Sequence, residues 1–146
     1  EQVKIVGSFE RTLNVLVYSG VWCGDCVRQG PMFAALAKLN DKIDLRFAER
    51  QDNSKLAAEL RINGALKVPV TVFLSEDFYE LGRFGDRLLT VYRRMARDRL
   101  GQSCQTGLIP PPDDQLSAEL AEWCDIFERM HIILRLSPML RERYGD

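Results

Sequence analysis

The chain has few of the residues that build metal sites or disulfide scaffolds: one histidine, His131, and four cysteines in 146 residues. Four cysteines are too few for a scaffold held together by disulfides. No charge of one sign dominates either, because 21 acidic side chains face 20 basic ones, for a net charge of −1. Such a chain creates no strong field that attracts nucleic acid or anionic lipid. We therefore expect no nucleic acid partner.

Long hydrophobic runs are missing as well. The longest apolar stretches, 13–18 and 68–74, are strand-sized and fall far short of the roughly 20 residues of a membrane-spanning helix. We therefore expect no membrane span. Hydrophobic residues make up 46% of the chain and charged residues 28%, which is typical of a globular protein with its own core.

Hydrophobic patterning predicts alternating strands and helices. Apolar and β-branched runs predict strands at 13–19, 43–48, 68–74 and 79–84, and helical periodicity predicts helices at 24–39, 55–62, 87–100, 115–136 and 139–144. Residues 3–6 fit either an edge strand or the end of another element. This order predicts an α/β fold in which a crossover unit, a hairpin and a closing helix form a mixed central sheet with helices on both faces.

Three prolines at 110–112 predict a linker between the main domain and the last helices. We expect a domain over 1–100, a Pro-rich linker over 101–114 and a C-terminal helical extension over 115–146. Some thirty residues cannot easily bury a core of their own. The extension is therefore expected to pack on the same domain.

Cys23 and Cys26 are separated by two residues where the first predicted strand gives way to a helix. The unpaired N–H groups and the positive dipole end of that helix would stabilise a thiolate at Cys23. Cys26 would lie one turn deeper, within reach of a mixed disulfide on Cys23. The spacing therefore predicts thiol–disulfide exchange, with attack by Cys23 and resolution by Cys26.

Three other interpretations of this pair compete. A zinc site would need a second pair, and Cys104 and Cys124 are too far apart to form a familiar ligand knuckle. A structural disulfide closing so tight a loop would constrain little chain entropy. Two ordinary core cysteines would fit poorly with the flanking Gly24 and Asp25, which suit a turn or a helix start. For Cys104 and Cys124 we expect free thiols.

Val68-Pro69 opens the third predicted strand. An X–Pro bond adopts the cis form at modest cost, and a cis bond here would place the Val68 backbone beside Cys23, free to pair with an extended substrate. A trans proline at the start of an edge strand fits the dipeptide equally well. Both alternatives stay open on these two residues alone.

The sequence Trp22-Cys23-Gly24-Asp25-Cys26 after a buried strand, followed by Val68-Pro69 at the start of another, resembles the thioredoxin superfamily in motif, order and spacing. Pro31 matches the helix-kinking proline of thioredoxins, and Gly85 matches the glycine that lets substrate approach the active-site surface. The first motif and residues 77–85 are most similar to thioredoxin-like proteins of bacteria.

This resemblance implies a thioredoxin-like three-layer fold, a cis Pro69 and an attacking thiol at Cys23. It implies that substrate is bound or supported by Trp22, Gly24, Asp25, Val68, Pro69 and Gly85. No organic cofactor or metal is expected, because a redox-active Cys23–Cys26 disulfide carries the electrons. The expected partners are protein or small-thiol disulfides and a reductase that donates electrons, and the scarcity of close cysteine pairs favours a cytoplasmic location.

Two positions depart from the thioredoxin pattern. Val17 stands where thioredoxins carry a buried aspartate that helps deprotonate the resolving cysteine. Glu49, at the end of the second strand, is a candidate proton relay, although an ordinary solvated carboxylate fits that position too. Asp25 replaces the usual proline between the cysteines, and we hypothesise that its charge disfavours the Cys23 thiolate and makes the pair more reducing. Arg28 could partly offset that charge.

The leading prediction is therefore an oxidoreductase that reduces protein disulfides. A disulfide oxidase or isomerase is an alternative within the same fold. A non-catalytic, redox-sensing interaction module is the alternative from another class. A helical extension covering the surface from Trp22 to Pro69 would favour the module, and an open surface would favour the enzyme.

Overall fold

The computed structural model describes residues 1–100 and 114–146. Its strands are β1 (Leu13–Ser19), β2 (Ile43–Glu49), β3 (Val70–Leu74) and β4 (Glu80–Gly85). Its helices are α1 (Gln2–Gly7), α2 (Gly24–Leu39), α3 (Lys55–Glu59), α4 (Leu89–Leu100), α5 (Gln115–Arg135) and α6 (Pro138–Tyr144). Across these two ranges, no helix combines the length and apolar character needed to cross a bilayer.

The four strands form one mixed sheet in the order β2-β1-β3-β4. Strand β1 pairs with β2 in parallel, which requires the crossover helix α2, and with β3 antiparallel. Strands β3 and β4 form the antiparallel hairpin at the other edge. The predicted α/β fold with a mixed central sheet is therefore confirmed.

The two faces of the sheet bury cores of different size. Alternation along β1 directs Val15 and Val17 to one face, which we call the large-core face, and Tyr18 to the other, the small-core face. Helices α1, α2, α4, α5 and α6 contribute buried residues to the large-core face. The small-core face is covered by α3 through Ala57 and Leu60, and it also contains Cys26.

The C-terminal helices complete the large-core face. Trp123 of α5 meets the Phe33 ring of α2 edge-on at 4.5 Å, and Phe127 meets Phe73 of β3 at 5.0 Å. Asp114 begins α5 by accepting a hydrogen bond from the Ser117 N–H at 3.0 Å. Apart from Asp114, the predicted linker lies outside the described residues, and so does Cys104.

One open alternative is settled and one local prediction was wrong. Residues 3–6, which fitted either an edge strand or the end of another element, belong to helix α1, because Val6 is buried in the large core and the Asn40 amide donates hydrogen bonds to the carbonyls of Val6, Gly7 and Phe9. Helix α3 ends at Glu59 rather than at residue 62. The chain turns instead at Asn63 and Gly64, both with positive φ.

Candidate dithiol active site

Cys23 lies at the N-terminus of α2, where β1 gives way to the helix. Its N–H donates to the Gly20 carbonyl at 3.0 Å, and its extended backbone makes it the N-cap residue. Because the first N–H groups of a helix have no partner within the helix, the positive end of the α2 dipole lies at Cys23, whose side chain accepts no capping hydrogen bond from them. The Cys23 side chain is half-buried and therefore within reach of a substrate.

Cys26 lies one turn further along α2 and is only 8% exposed. The pKa of the Cys26 thiol is raised to about 12, chiefly by burial and in addition by the neighbouring Cys23. The Gly20 N–H, which donates to Cys26 Sγ at 3.4 Å, acts in the opposite direction. Neither cysteine forms a disulfide in this structure. The pair therefore combines an accessible thiol with a deeper one that holds its proton.

The loop before β3 places a backbone carbonyl beside Cys23. The Val68–Pro69 peptide bond is cis, and the Val68 carbonyl accepts a hydrogen bond from Cys23 Sγ at 3.6 Å. Gly85, at the end of β4, lies against the same loop. A Cβ atom at Gly85 would lie 2.7 Å from the Pro69 carbonyl oxygen and 3.2 Å from Val70 Cα, so only glycine allows this approach of backbones.

Trp22 lies on the surface next to Cys23. Its side chain is 63% exposed, with the Arg50 guanidinium 5.3 Å from the centre of a Trp22 ring. The indole covers Gly20 closely, since a Cβ atom there would lie 2.6 Å from Trp22 Cε2. Val21 and Val27 are also exposed, so an apolar surface surrounds the dithiol.

Asp25 forms an ion pair with Arg87, with 2.6 Å between Asp25 Oδ2 and Arg87 Nη2. Arg87 also pairs with Asp86 at 3.1 Å. Arg28, which the sequence offered as the counter-charge to Asp25, is bound instead to the buried Glu119 of α5 at 2.9 Å. Asp25 still contributes to the raised pKa of Arg28, so Arg28 partly offsets its charge as expected. The direct partner of Asp25 is Arg87, which is far away in the sequence and which the fold brings to the start of α2.

Glu49 and Val17 lie at different depths near the dithiol. Glu49 is exposed at the end of β2, in register with Ser19 of β1. Val17 is 1% exposed, and its partner across the sheet is the equally buried Thr71. Thr71, Asp86 and Gln29 were not predicted from the sequence. Gln29 could have been found, because it follows Cys26 by three residues and therefore shares its helical face.

The remaining titratable and thiol groups point to no metal centre within the described ranges. No group of three or more histidine, cysteine, aspartate or glutamate side chains among these residues could hold an ion. Cys124 is buried in α5, and burial raises the pKa of its thiol. It forms no disulfide in the structure.

Comparison with known proteins agrees with this geometry. A family model described as thioredoxin (Thioredoxin_9) matches residues 1–98 of the 146. The crystal structure of a protein of unknown function from Pseudomonas aeruginosa is similar with a TM-score of 0.58 and 21% identity, over 91% of this chain and 69% of that one.

An HIV epitope scaffold is similar with a TM-score of 0.57 and 20% identity, over 99% of this chain and 73% of the scaffold. Identities this low show a shared fold and nothing more. No curated protein matches the chain. The family model covers more than half of the chain, and so the chain belongs to the thioredoxin family.

Proposed function

We propose that this protein is a thiol–disulfide oxidoreductase that reduces disulfides through Cys23 and Cys26. The observation that carries the proposal is the asymmetry of the pair. Cys23 is half-buried at a helix N-terminus, whereas Cys26 is buried one turn deeper. The redox role of the thioredoxin family supports the same assignment.

In the first step the Cys23 thiolate attacks one sulfur of the substrate disulfide. The substrate S–S bond breaks, its other sulfur leaves as a thiolate and takes up a proton, and Cys23 is joined to the substrate in a mixed disulfide. The positive end of α2 stabilises the attacking thiolate. The Val68 carbonyl contacts Cys23, and the proposed role of the Val68 backbone is to pair with the backbone of an extended substrate.

In the second step Cys26 loses its proton and attacks Cys23 Sγ, which releases the reduced substrate and leaves a Cys23–Cys26 disulfide. The high pKa of the Cys26 thiol makes its proton loss the difficult part of the cycle. The Gly20 N–H is already placed to stabilise the Cys26 thiolate. Glu49 is the proposed acceptor of the proton, with water carrying it from the buried sulfur.

The substrates we propose are protein disulfides or disulfides of small thiols, bound over the apolar surface at Val21, Trp22 and Val27. The reaction itself needs no organic cofactor, and a reductase would return two electrons to the Cys23–Cys26 disulfide. Trp22 would serve as the platform under the substrate disulfide. A cytoplasmic location and a bacterial origin belong to the same proposal.

The exposure of Trp22 favours the enzyme over an interaction module. Helix α5 packs on the large-core face through Trp123 and Phe127, where it approaches Pro69 but leaves Trp22 exposed. Within the described residues, Trp22 keeps 63% of its accessible surface. A partner-binding extension that sequestered the dithiol would instead have buried this side chain.

The decisive measurement is the reduction potential of the dithiol, by equilibration in glutathione or dithiothreitol buffers. A Cys104→Ser, Cys124→Ser background isolates the pair, and Cys23→Ser in that background is the control. We expect a Cys23-dependent couple near roughly −270 mV, as in reducing thioredoxins. A value near roughly −120 mV would assign the protein to disulfide donation instead, and the absence of any couple would favour the interaction module.

A further inference from the structure

A cavity of about 430 Å³ opens on the large-core face, next to the loop that carries Pro69. It lies between α2, the ends of β3 and β4, the start of α4, and α5. Pro69, directly after the Val68 carbonyl that contacts Cys23, forms part of its wall. Arg87, the partner of Asp25, forms another part. Cavities of about 300 to 1,000 Å³ are the size that binds small molecules.

Three residues that line this cavity carry a buried polar atom without a hydrogen-bond partner in the described part of the chain. These atoms are Gln29 Oε1, Thr71 Oγ1 and Trp123 Nε1. The three residues are between 1% and 4% exposed. Leaving such groups unpaired costs free energy. Because these atoms have almost no accessible surface of their own, their side chains must rotate toward the cavity before a bound molecule with polar groups can offset that cost.

The charged groups of the cavity wall already have partners. Arg87 binds Asp25 and Asp86, Arg83 binds Glu80, and the Glu122 carboxylate accepts the N–H groups that begin α4. The unpaired groups are all neutral: an amide oxygen that accepts, an indole N–H that donates, and a hydroxyl that does both. This arrangement fits a neutral molecule with amide or hydroxyl groups better than a carboxylate or an amine.

We propose that the cavity binds the non-sulfur part of a small disulfide substrate that is uncharged and carries amide or hydroxyl groups. The proposal rests on the function proposed above and names a substrate class for the same site. Cys23 attacks one sulfur of that disulfide and expels the other half as a thiol. Cys26 then displaces the cavity-bound half, so that two thiols and one Cys23–Cys26 disulfide result, and the two electrons and two protons come from the protein dithiol.

The experiment compares three disulfides in single-turnover oxidation of the reduced protein, each normalised to its rate with dithiothreitol. Pantethine is neutral and rich in amide and hydroxyl groups, oxidised glutathione carries carboxylates, and bis(2-hydroxyethyl) disulfide is too small to fill the cavity. We expect the normalised rate constant of pantethine to exceed those of the other two by about tenfold, the effect of one or two extra hydrogen bonds.

Thr71→Val removes the hydroxyl and conserves the shape of the side chain. It should lower the pantethine rate constant by about three- to tenfold, the effect of one hydrogen bond. The same change in Thr12→Val, at the opposite end of β1, should leave it unaltered. Equal normalised rates for the three disulfides, or no effect of Thr71→Val, would overturn the cavity proposal and leave the general function standing.

Binding without reaction separates the two proposals further. In a Cys23→Ser, Cys26→Ser protein, which cannot react, we expect pantetheine to bind and to shift the NMR signals of the Gln29 amide and the Trp123 indole. Binding in this variant would support the cavity even if no disulfide were reduced by the native dithiol. No binding at millimolar pantetheine would overturn it even if every disulfide were reduced.

Discussion

The two faces of the sheet are built for different tasks. The large-core face is closed by five helices and holds interlocking aromatic rings, among them Phe33, Phe73 and Phe127. The small-core face is covered by the short helix α3 and the segment 60–68 that follows it, and it holds Cys26 beside Tyr18 and Leu60. Most of the buried apolar surface, and with it most of the stability, therefore lies on one face, whereas the dithiol lies at the end of the sheet where the thinner layer begins.

The largest expected effect is on the reaction of the dithiol. Cys23→Ser should reduce the rate of insulin disulfide reduction to that seen without protein, because the attacking thiolate is gone. Cys26→Ser should still attack but should accumulate a mixed disulfide with substrate, because no second thiol releases it. Mass spectrometry of the quenched reaction detects that adduct. In the Cys26→Ser variant, an adduct at any cysteine other than Cys23 would contradict the assigned roles.

The next effect tests the difference between the two cores. Phe127→Ala, on the large-core face, should lower the free energy of unfolding by about 3–5 kcal/mol, because it empties a fully buried ring site. Leu60→Ala, on the small-core face, should cost about 2 kcal/mol, since its thinner surroundings can relax around the cavity. Urea denaturation measures both values. A larger loss for Leu60→Ala would contradict the assignment of stability to the large-core face.

A third expected effect is a loss of stability at low pH caused by the buried His131. Burial, aided by the nearby Arg135 charge, lowers the pKa of His131 to about 4. Because the unfolded imidazole takes up a proton near pH 6.5 and the folded one does not until about pH 4, stability is lost as the pH falls through this window. The loss amounts to about 3 kcal/mol.

The matched variant for this effect is His131→Gln, which cannot titrate but can still accept the hydrogen bond that Arg11 N–H donates to His131 Nε2. Its free energy of unfolding, measured by urea denaturation at several pH values from 7 to 4, should fall less steeply with decreasing pH than that of the native protein, because residue 131 no longer titrates. An unchanged slope would mean that other groups cause the acid sensitivity.

The smallest expected effect is a shift of the reduction potential when the ion pair at the start of α2 is broken. Arg87→Gln leaves the Asp25 carboxylate without its direct counter-charge, which disfavours a thiolate at Cys23 and makes the dithiol more reducing. Both side chains are about a quarter exposed, so the shift should be only about 5–20 mV toward negative potential. Asp25→Asn should move the potential in the opposite direction. Shifts of the same sign in the two variants would rule out this electrostatic link.

Much of the fold followed from local pattern, and the failures were instructive. Strand β1 and helix α2 were predicted with the bounds that the structure shows, because an apolar run and a helical period leave little ambiguity. Residues 3–6 were ambiguous because a mostly apolar run of four residues fits both the helical and the strand period. Their helix is fixed by Asn40 and by packing against α5, and both come from distant parts of the chain.

The candidate site likewise has a part that local sequence predicts and a part that it does not. The motif at Cys23 and Cys26 could be predicted because a helix N-terminus and a three-residue spacing are local features, and Val68-Pro69 was singled out by its place in the strand pattern. The partner of Asp25 could not be predicted. Arg28 was the nearer base in sequence, but Glu119 holds it, and Arg87 reaches Asp25 only because β4 ends beside α2.

Local sequence pattern is enough to predict the alternation of strands and helices, the position of the two thiols at a strand-to-helix junction, and the resemblance to thioredoxins, since each depends on short stretches of the chain. Contacts between distant elements are needed for the rest: α5 completes the core and leaves Trp22 open, and Gln29, Thr71 and Trp123 surround one cavity. Those features depend on side chains from separate elements meeting in space, and hydrophobic periodicity specifies which face is buried but not which partner buries it.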